Sequence, residues 1–515
     1  MATTADDAGA AMRAAPGAEA REQPKALPPI GLGTRVSYGA GAIANGVKNA
    51  AFTSYLLFFY SQIVGVPAAI VASAVALTLI VDAIADPLIG RWSDMTRSRW
   101  GRRHPFIYGA AIPTGLAFLL AWFPPAGMSN MQAGIWIFVT ASLTRMCISA
   151  FEISTSAMTP EMTDDYRERT RLFGLRWWFG YMGTFGFTAI CLVTFFAATP
   201  EYPRGQLNPA GYPGFAIAGA LTIVAAILIC GIGTHNRIPY LRQAEERGER
   251  TPLRVHLAEM GQALKNRAFL SIFGFGVLKF SAIGLYSATS LFFSTYLYKL
   301  NAAQLALLTI DSVVAATLAA PLAPVMSAWL GKRTSSMLFA VLGVSIGLSP
   351  LVLAYNGIFF TPGHPGLVPA LFAIGAIYGA MVAISLINTS SMLADVVEDS
   401  AVRTGRHDAG TFFAASSFMQ QCSTAIGIFL AGKLLVWSDF PAKPMPGQVS
   451  DEAVRSLVIH YIPASIGLWT LGALFLLFYP ITRAKHEANV AALQAREAEA
   501  AAREQDNVAL GGPGR

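Results

Sequence analysis

Residues 69–105 read AIVASAVALTLIVDAIADPLIGRWSDMTRSRWGRRHP, an apolar stretch followed directly by a basic loop. The apolar stretch 69–90 is long enough to cross the hydrocarbon core of a bilayer, which takes about 20 residues. Its charged residues are Asp82 and Asp86, four positions apart and therefore on one face of a helix. A span of this kind that ends in arginines predicts a transmembrane helix with its basic end in the cytosol.

The composition of the whole chain agrees with that reading. Of 515 residues, 54% are apolar and only 13% are charged, against about 25% charged in an average soluble domain. The mean hydropathy is +0.48. These values exclude a disordered protein and argue against a soluble enzyme, because so few charges cannot cover a water-exposed surface. They predict a polytopic membrane protein embedded in a lipid bilayer.

Twelve apolar segments of suitable length predict an all-α membrane protein with twelve transmembrane helices in two six-helix bundles. The predicted spans are 36–62, 69–90, 105–125, 131–158, 177–198, 213–234, 268–297, 303–329, 334–356, 366–394, 409–436 and 456–482. The predicted divisions are a disordered cytosolic tail (1–34), an N-terminal bundle (35–234), a cytosolic linker (235–267), a C-terminal bundle (268–483) and a second cytosolic tail (484–515).

The basic residues predict the orientation of these spans. With the N-terminus in the cytosol, the outer loops hold Arg204, Lys299, Lys443 and Arg455. Four further basic residues fall within spans, and the rest of the 37 lie on the cytosolic side. We therefore expect a protein of the plasma (cytoplasmic) membrane with both termini in the cytosol. The same distribution explains the net charge of +7 without a nucleic-acid partner.

Several polar side chains are predicted to share one depth in the membrane. They lie about 12 residues, or about 18 Å, from a helix end, which is near the middle of the bilayer. These residues are Lys48, Asp82, Glu152, Lys279, Gln420 and Gln421. Ionisable groups at this depth are costly and usually functional. Asp82, Asp86 and Glu152 therefore predict a site for a coupling cation, either Na⁺ or H⁺, unless Lys48 and Lys279 neutralise them in structural ion pairs.

For other polar residues near this layer, the sequence does not decide what their side chains contact. Asn45 and Asn49 could hydrogen-bond a polyol substrate or simply join neighbouring helices. Arg145 lies on roughly the same face as Glu152 and could pair with it or with a substrate. Asp311, in the outer half of the eighth span, has no evident partner.

Charges at the cytosolic ends of the second, fourth and tenth spans suggest a gate. Carboxylates there are followed by arginines, and their ion pairs could hold the inner side closed. The alternative is ordinary interfacial charge. The predicted gating residues are Asp94, Arg97, Arg102, Arg103, Asp164, Asp395 and Arg406.

Neither a resident cofactor nor a metal site is expected. The four cysteines lie far apart within apolar segments, and the seven histidines show no ligand spacing. A membrane enzyme would need catalytic acids or histidines in sizeable aqueous loops, whereas these loops are short and basic. We therefore expect a transporter, not an enzyme.

The stretch from Asp82 to Pro105 resembles a signature of the glycoside–pentoside–hexuronide:cation symporters, a family of the major facilitator superfamily. The similarity comprises the acidic pair, the Asp-Pro step, Gly90 with Asp94, and the Arg-Ser-Arg-Trp-Gly run. Further similarity extends over most of the chain, at Tyr38-Gly39, Tyr60, Pro160, Arg167-Glu168-Arg169, Arg176, Asp395-Val-Val-Glu398 and Thr404-Gly405-Arg406.

The resemblance implies the twelve-helix major facilitator fold, alternating access, and symport of a sugar or glycoside with Na⁺, H⁺ or Li⁺. It implies that Asp82 and Asp86 bind the cation, and that Glu152 and Arg176 bind the sugar. The substrate would lie between the halves of a monomer, near residues Asn45, Lys48, Asn49, Glu152, Arg176, Lys279 and Gln420.

Three positions depart from the pattern of melibiose permease, the best-known member of this family. Gly46 and Ser156 replace an aspartate and a tryptophan that contact the sugar, and Gln420 or Gln421 replaces a lysine. Lys279, at a similar depth, is our hypothesis for the missing cationic group. These departures leave open a non-sugar substrate such as a lysolipid or another amphiphile.

Overall fold

Long helices form nearly all of the regular structure in the computed structural model, which describes residues 28–163, 165–241, 264–404, 409–443 and 449–509. In these residues there are thirteen long helices and no β-strand. They are α1 (residues 32–64), α2 (Ala68–Met95), α3 (His104–Trp122), α4 (Asn130–Met162), α5 (residues 166–194), α6 (Gly211–Thr234), α7 (Arg267–Leu297), α8 (Ala302–Leu330), α9 (Lys332–Tyr355), α10 (Leu367–Thr404), α11 (Ala409–Trp437), α12 (Asp451–Phe475) and α13 (Arg483–Ala509).

Helices α1 to α12 correspond one to one with the predicted spans. Within the described ranges, ten of them are long and apolar enough to cross a membrane on those criteria alone. The other two are α1 and α5. π-Helical turns lie in α1 (Ala51–Tyr55 and Phe59–Val64), in α5 (Met182–Gly186) and in α7 (Phe293–Leu297). Single π-turns inside α-helices often mark functional regions.

Several helices run further than the apolar stretches predicted. Helices α2, α4 and α10 continue to Met95, Met162 and Thr404, and α5 begins at Tyr166. These extensions are rich in charged residues, so a search for apolar stretches stops before them. All four extensions lie at the end of the molecule where α1 begins and α12 ends, which we call the termini end; the opposite end is the far end.

The two halves are joined most closely at the far end. Helix α2 packs on α11, α5 on α8, and α1 on α7. Gln206 donates hydrogen bonds to the Thr295 hydroxyl (3.1 Å) and the Leu300 carbonyl (2.9 Å). The Tyr296 hydroxyl donates to Oε1 of Gln62 at 2.6 Å. These contacts close the far end between the halves.

Each half contains one crossing at which two helix backbones touch. At the crossing of α1 and α5, a Cβ on Gly46 would lie 2.3 Å from the Gly180 carbonyl oxygen, and one on Gly183 would lie 2.5 Å from that of Ile43. Helices α7 and α11 cross in the same way. A Cβ on Gly284 would lie 2.5 Å from the Thr424 carbonyl oxygen, and one on Gly427 would lie 2.0 Å from that of Ser281. Since α7 and α11 occupy the same places in the second half as α1 and α5 in the first, the halves repeat one packing plan.

Candidate substrate and cation site

The two predicted aspartates of α2 lie side by side but have different partners. Asp82 is 5% exposed, and its carboxylate lies 3.7 Å from the Arg145 guanidinium of α4. The Ser149 hydroxyl donates a further hydrogen bond to Asp82 at 3.0 Å. Arg145 therefore pairs with Asp82 and not with Glu152, which was one of the two partners considered for it from the sequence.

Asp86 makes its side-chain contact across the two halves. Nε2 of Gln421, on α11, donates a hydrogen bond of 2.8 Å to Oδ2 of Asp86. Oδ1 of Asp86 and Oε1 of Gln421 are both buried without a hydrogen-bond partner among the residues described. A buried polar atom without a partner costs free energy, so these oxygens form a fitting place for a cation or a proton.

Glu152 pairs with the arginine that the resemblance singled out. Nη2 of Arg176, on α5, lies 2.6 Å from Oε2 of Glu152. Arg176 also lies over the ring of Tyr38 at 5.3 Å, and Tyr38 bonds to Thr155 and Thr159 of α4. Oε1 of Glu152 is buried without a hydrogen bond in the described ranges. The pair therefore has one free carboxylate oxygen and an anchored guanidinium.

Lys48 lies among these charges without a close contact to any of them. It is 6% exposed and interacts electrostatically with Asp82, Asp86, Glu152 and Arg145. None of these carboxylates is within 4.0 Å of its ammonium group, as far as the structure describes the chain. The cluster thus combines three carboxylates with three basic side chains, so its charges balance at neutral pH when all are ionised.

The two predicted asparagines of α1 lie on an accessible face of the helix. Asn49 is exposed and Asn45 is half-buried, and neither side chain makes a hydrogen bond within the described part of the chain. Positions 45 and 49 share a helix face, next to Lys48. Their amides therefore face accessible space beside the charged cluster, which favours ligand contact over helix–helix contact.

Two predicted substrate residues lie apart from the acidic pair. Gln420 is exposed, and it is the neighbouring Gln421 that contacts Asp86. Lys279 is 1% exposed and lies between the rings of Phe275 (4.7 Å) and Phe280 (4.9 Å). No described carboxylate is within 4.0 Å of Lys279, and its role as the missing cationic group stays a hypothesis.

Four of the seven predicted gating residues, Asp94, Arg102, Arg103 and Asp395, form ion pairs within their own half. Arg103 lies 2.6 Å from Asp94 and 3.3 Å from Glu161, and Arg102 lies 2.6 Å from Glu161. These pairs link the loop after α2 to the end of α4. Glu161 was not among the predicted gating residues, although it stands in the same acidic run as Asp164. Asp164 and Arg406 lie outside the described residues.

In the second half, Asp395 of α10 binds Lys332 at 2.7 Å. The C-terminal helix α13 packs against the same acidic end of α10. Lys485 lies 3.1 Å from Asp399, and His486 lies 2.9 Å from Glu398 and 3.4 Å from Asp395. The ligand atoms of Asp395, Glu398 and His486 fall within 4.8 Å of one another, a spacing that a metal ion could use. These acids thus join elements of the second half.

Comparison with known proteins gives a consistent result. A family model described as MFS/sugar transport protein matches residues 37–483. An uncharacterized symporter from Synechocystis sp. is 27% identical, over 90% of this chain and 97% of that protein. The isoprimeverose transporter of Lactiplantibacillus pentosus is 25% identical, over 87% of this chain and 88% of that protein.

A solved structure shares the fold. The nucleoside transporter NupG superposes with a TM-score of 0.59 at 12% sequence identity, and the match covers 88% of this chain and 99% of that one. At this identity the likeness concerns the arrangement of the helices alone.

Proposed function

Because this chain belongs to the family of MFS/sugar transport proteins, we propose that it is a secondary active transporter that moves a sugar or glycoside together with a cation. The observation that carries the proposal is Asp86. It is the carboxylate of the cluster that lacks an ion-pair partner in the described residues, and one of its oxygens bonds to the other half of the molecule.

The coupling cation would bind at the unpartnered oxygens. Oδ1 of Asp86 and Oε1 of Gln421 are hard oxygen ligands of the type that Na⁺ prefers, and the same carboxylate oxygen can accept a proton. Asp82 would contribute less directly because Arg145 and Ser149 already engage it. Either cation would give Asp86 a positive charge in direct contact, which no side chain of the described residues provides.

Cation binding at this point would couple to the movement of the halves. The hydrogen bond between Asp86 and Gln421 joins α2 to α11, so a change in charge on Asp86 alters a contact between the halves. A ligand shifts a conformational equilibrium only by its differential affinity for the two states. A site shared by both halves provides such a difference, and a rocking motion around a central site gives alternating access.

The substrate would bind beside the cation, against the polar face of the first half. Asn45 and Asn49 offer free amides, and Glu152 with Arg176 offers an acceptor and a donor in fixed geometry. These groups suit an array of sugar hydroxyls.

We also propose the orientation predicted by the basic loops. With both termini in the cytosol, the closed far end faces outward, so the structure represents an inward-open state in the plasma (cytoplasmic) membrane. One chain provides both halves of the site, so we propose that the monomer transports. Na⁺ and H⁺ both remain candidates for coupling.

Uptake by purified protein in liposomes tests this proposal. We expect a panel of radiolabelled sugars and glycosides to include one that accumulates when an inward Na⁺ or H⁺ gradient is imposed. Asp86→Asn should lower gradient-driven accumulation at least tenfold, because it removes the charge that attracts the cation, while passive exchange of the same sugar continues. Asp451→Asn, an exposed acid at the start of α12, is the matched control and should behave like the unmodified protein.

Full gradient-driven accumulation by Asp86→Asn would show that the cation binds elsewhere. Accumulation of a lysolipid instead of any sugar would overturn the proposed substrate class.

A further inference from the structure

A second polar cluster lies in the C-terminal half, away from the site described above. Asp311 of α8 is half-buried, and in the described residues its carboxylate is hydrogen-bonded by the Ser312 hydroxyl at 2.9 Å. No basic side chain of the described chain lies within 4.0 Å of it. Carboxylates within spans are costly and mark functional sites unless they are paired.

Two tyrosines lie beside this carboxylate. Oδ2 of Asp311 lies against α10, because a Cβ built on Gly375 of α10 would be 2.2 Å from this oxygen. Tyr378 is one turn further along α10, and its ring lies 5.6 Å from that of Tyr286 on α7, tilted by 60°. The Tyr286 hydroxyl interacts electrostatically with both Asp311 and Tyr378. Three helices therefore bring one acid and two aromatic rings together.

The cluster faces space inside the molecule. Tyr286 is 44% exposed, although α7 is in contact with α1, α10, α11 and α12. A side chain on a helix surrounded in this way is exposed to the cavity between the halves. Tyr286 and Tyr378 each lie about 16 Å from the far end of their helices, and Asp82 lies about 21 Å from the far end of α2. The cluster is thus near the depth of the cation site, on the opposite half.

We propose that Asp311, Tyr286 and Tyr378 form a second substrate subsite, which holds a sugar ring against the C-terminal half. This inference rests on the proposed sugar transport. The carboxylate accepts hydrogen bonds from two neighbouring hydroxyls, and the tyrosine rings pack on the C–H faces of the ring. With Glu152 and Arg176 binding on the first half, the substrate class is a disaccharide or a glycoside with a sugar-sized second group.

A purely structural role accounts for less of this arrangement. Helix α8 is interrupted at Thr309 and Ile310, so Asp311 begins its second segment, Asp311–Leu330. An acid in the first turn of a helical segment is stabilised by the helix dipole, which would explain Asp311 by itself. It does not explain why two tyrosines on two other helices, Tyr286 (44% exposed) and the half-buried Tyr378, lie beside this carboxylate.

The first experiment asks whether the cluster is reached by water, and it needs no sugar. Tyr286→Cys is placed in a full-length variant whose four native cysteines are serine, and the protein is treated with a membrane-impermeant maleimide. We expect labelling at Tyr286→Cys and not at Ile112→Cys, an exposed position midway along α3. An unlabelled Tyr286→Cys would place the cluster against lipid and overturn the inference.

The second experiment measures binding of lactose, maltose and melibiose and of their component monosaccharides. We expect Asp311→Asn to weaken binding of the best disaccharide at least tenfold, because the charged acceptor is lost, and to change monosaccharide affinity less than twofold. Gly375→Ala, which displaces the carboxylate, should reproduce this selectivity. Unchanged disaccharide affinity in Asp311→Asn would refute the subsite, whereas failure of the proposed function would appear in the unmodified protein as no binding of any sugar.

Discussion

At the scale of single residues, the two aspartates of α2 differ in the side chains that they contact. Asp82 and Asp86 share a helix face, so the sequence predicts the same role for both. The structure separates them, because Asp82 faces α4 and its Arg145, whereas Asp86 faces α11 and an amide. Their spacing could be predicted from the sequence, but their partners depend on which helices pack against α2.

This difference predicts opposite effects of two equal substitutions. Asp82→Asn should lower the free energy of unfolding by about 3 kcal/mol, because it leaves Arg145 buried without a counter-charge. Asp86→Asn keeps an acceptor for Gln421 and should change it by less than about 1 kcal/mol. Denaturation of both variants in the same detergent is the measurement, and equal losses would contradict the assignment of Arg145 to Asp82.

At the scale of helices, the crossing of α1 and α5 explains a departure from the family pattern. Gly46 lies where a side chain on α1 would contact the sugar in melibiose permease, yet a single Cβ there would collide with the backbone of α5. No larger side chain fits while the helices remain this close. We therefore expect the substrate contacts of α1 to come from the neighbouring face at Asn45 and Asn49.

Gly46→Ala should consequently destabilise the N-terminal half by about 1–3 kcal/mol, the usual range for overpacking a tight contact. Gly284→Ala at the equivalent crossing of α7 and α11 should behave similarly. Gly174→Ala on α5 is the control, since nothing lies within 4 Å of a Cβ there. Thermal unfolding of the three variants would reveal an error if Gly174→Ala were as damaging as Gly46→Ala.

At the scale of the whole molecule, the contacts between the halves are concentrated at the far end. Gln206, Thr295 and Leu300 form a small hydrogen-bonded group there, and Gln62 with Tyr296 forms another. In an alternating-access cycle these bonds must break before the far end can open. They therefore set part of the free-energy difference between the two states.

Gln206→Ala should shift the population toward the state with an open far end. The expected result is a severalfold increase in the rate at which an impermeant thiol reagent, added from the outside, labels a cysteine introduced at Tyr286. Gln132→Ala is a control at the same end, because Gln132 bonds only to the start of its own helix in the described residues. No difference between the two variants would contradict a closing role for Gln206.

More of the fold than of the candidate site could be predicted from the sequence. The twelve-helix major facilitator fold, the symporter family and the transport function are confirmed, because long apolar stretches and the run from Asp82 to Pro105 are local signals. Which side chains meet is not a local property. Depth alone placed Lys279 with the acids, but rotation of α7 directs it between two phenylalanines instead. Likewise, the rotation of α11 determines that Gln421 and not its neighbour Gln420 contacts Asp86.

The repeated glycine crossings have a consequence for the diversification of this protein. Because backbone touches backbone at Gly46 and Gly284, any side chain at these two points destabilises the fold, while Asn45 and Asn49 on the adjoining face are under no such constraint. A mutant library selected for growth on new carbon sources would then gather its successful changes on that face and return glycine at both crossings. New substrate specificities would then arise without any change at the two helix crossings.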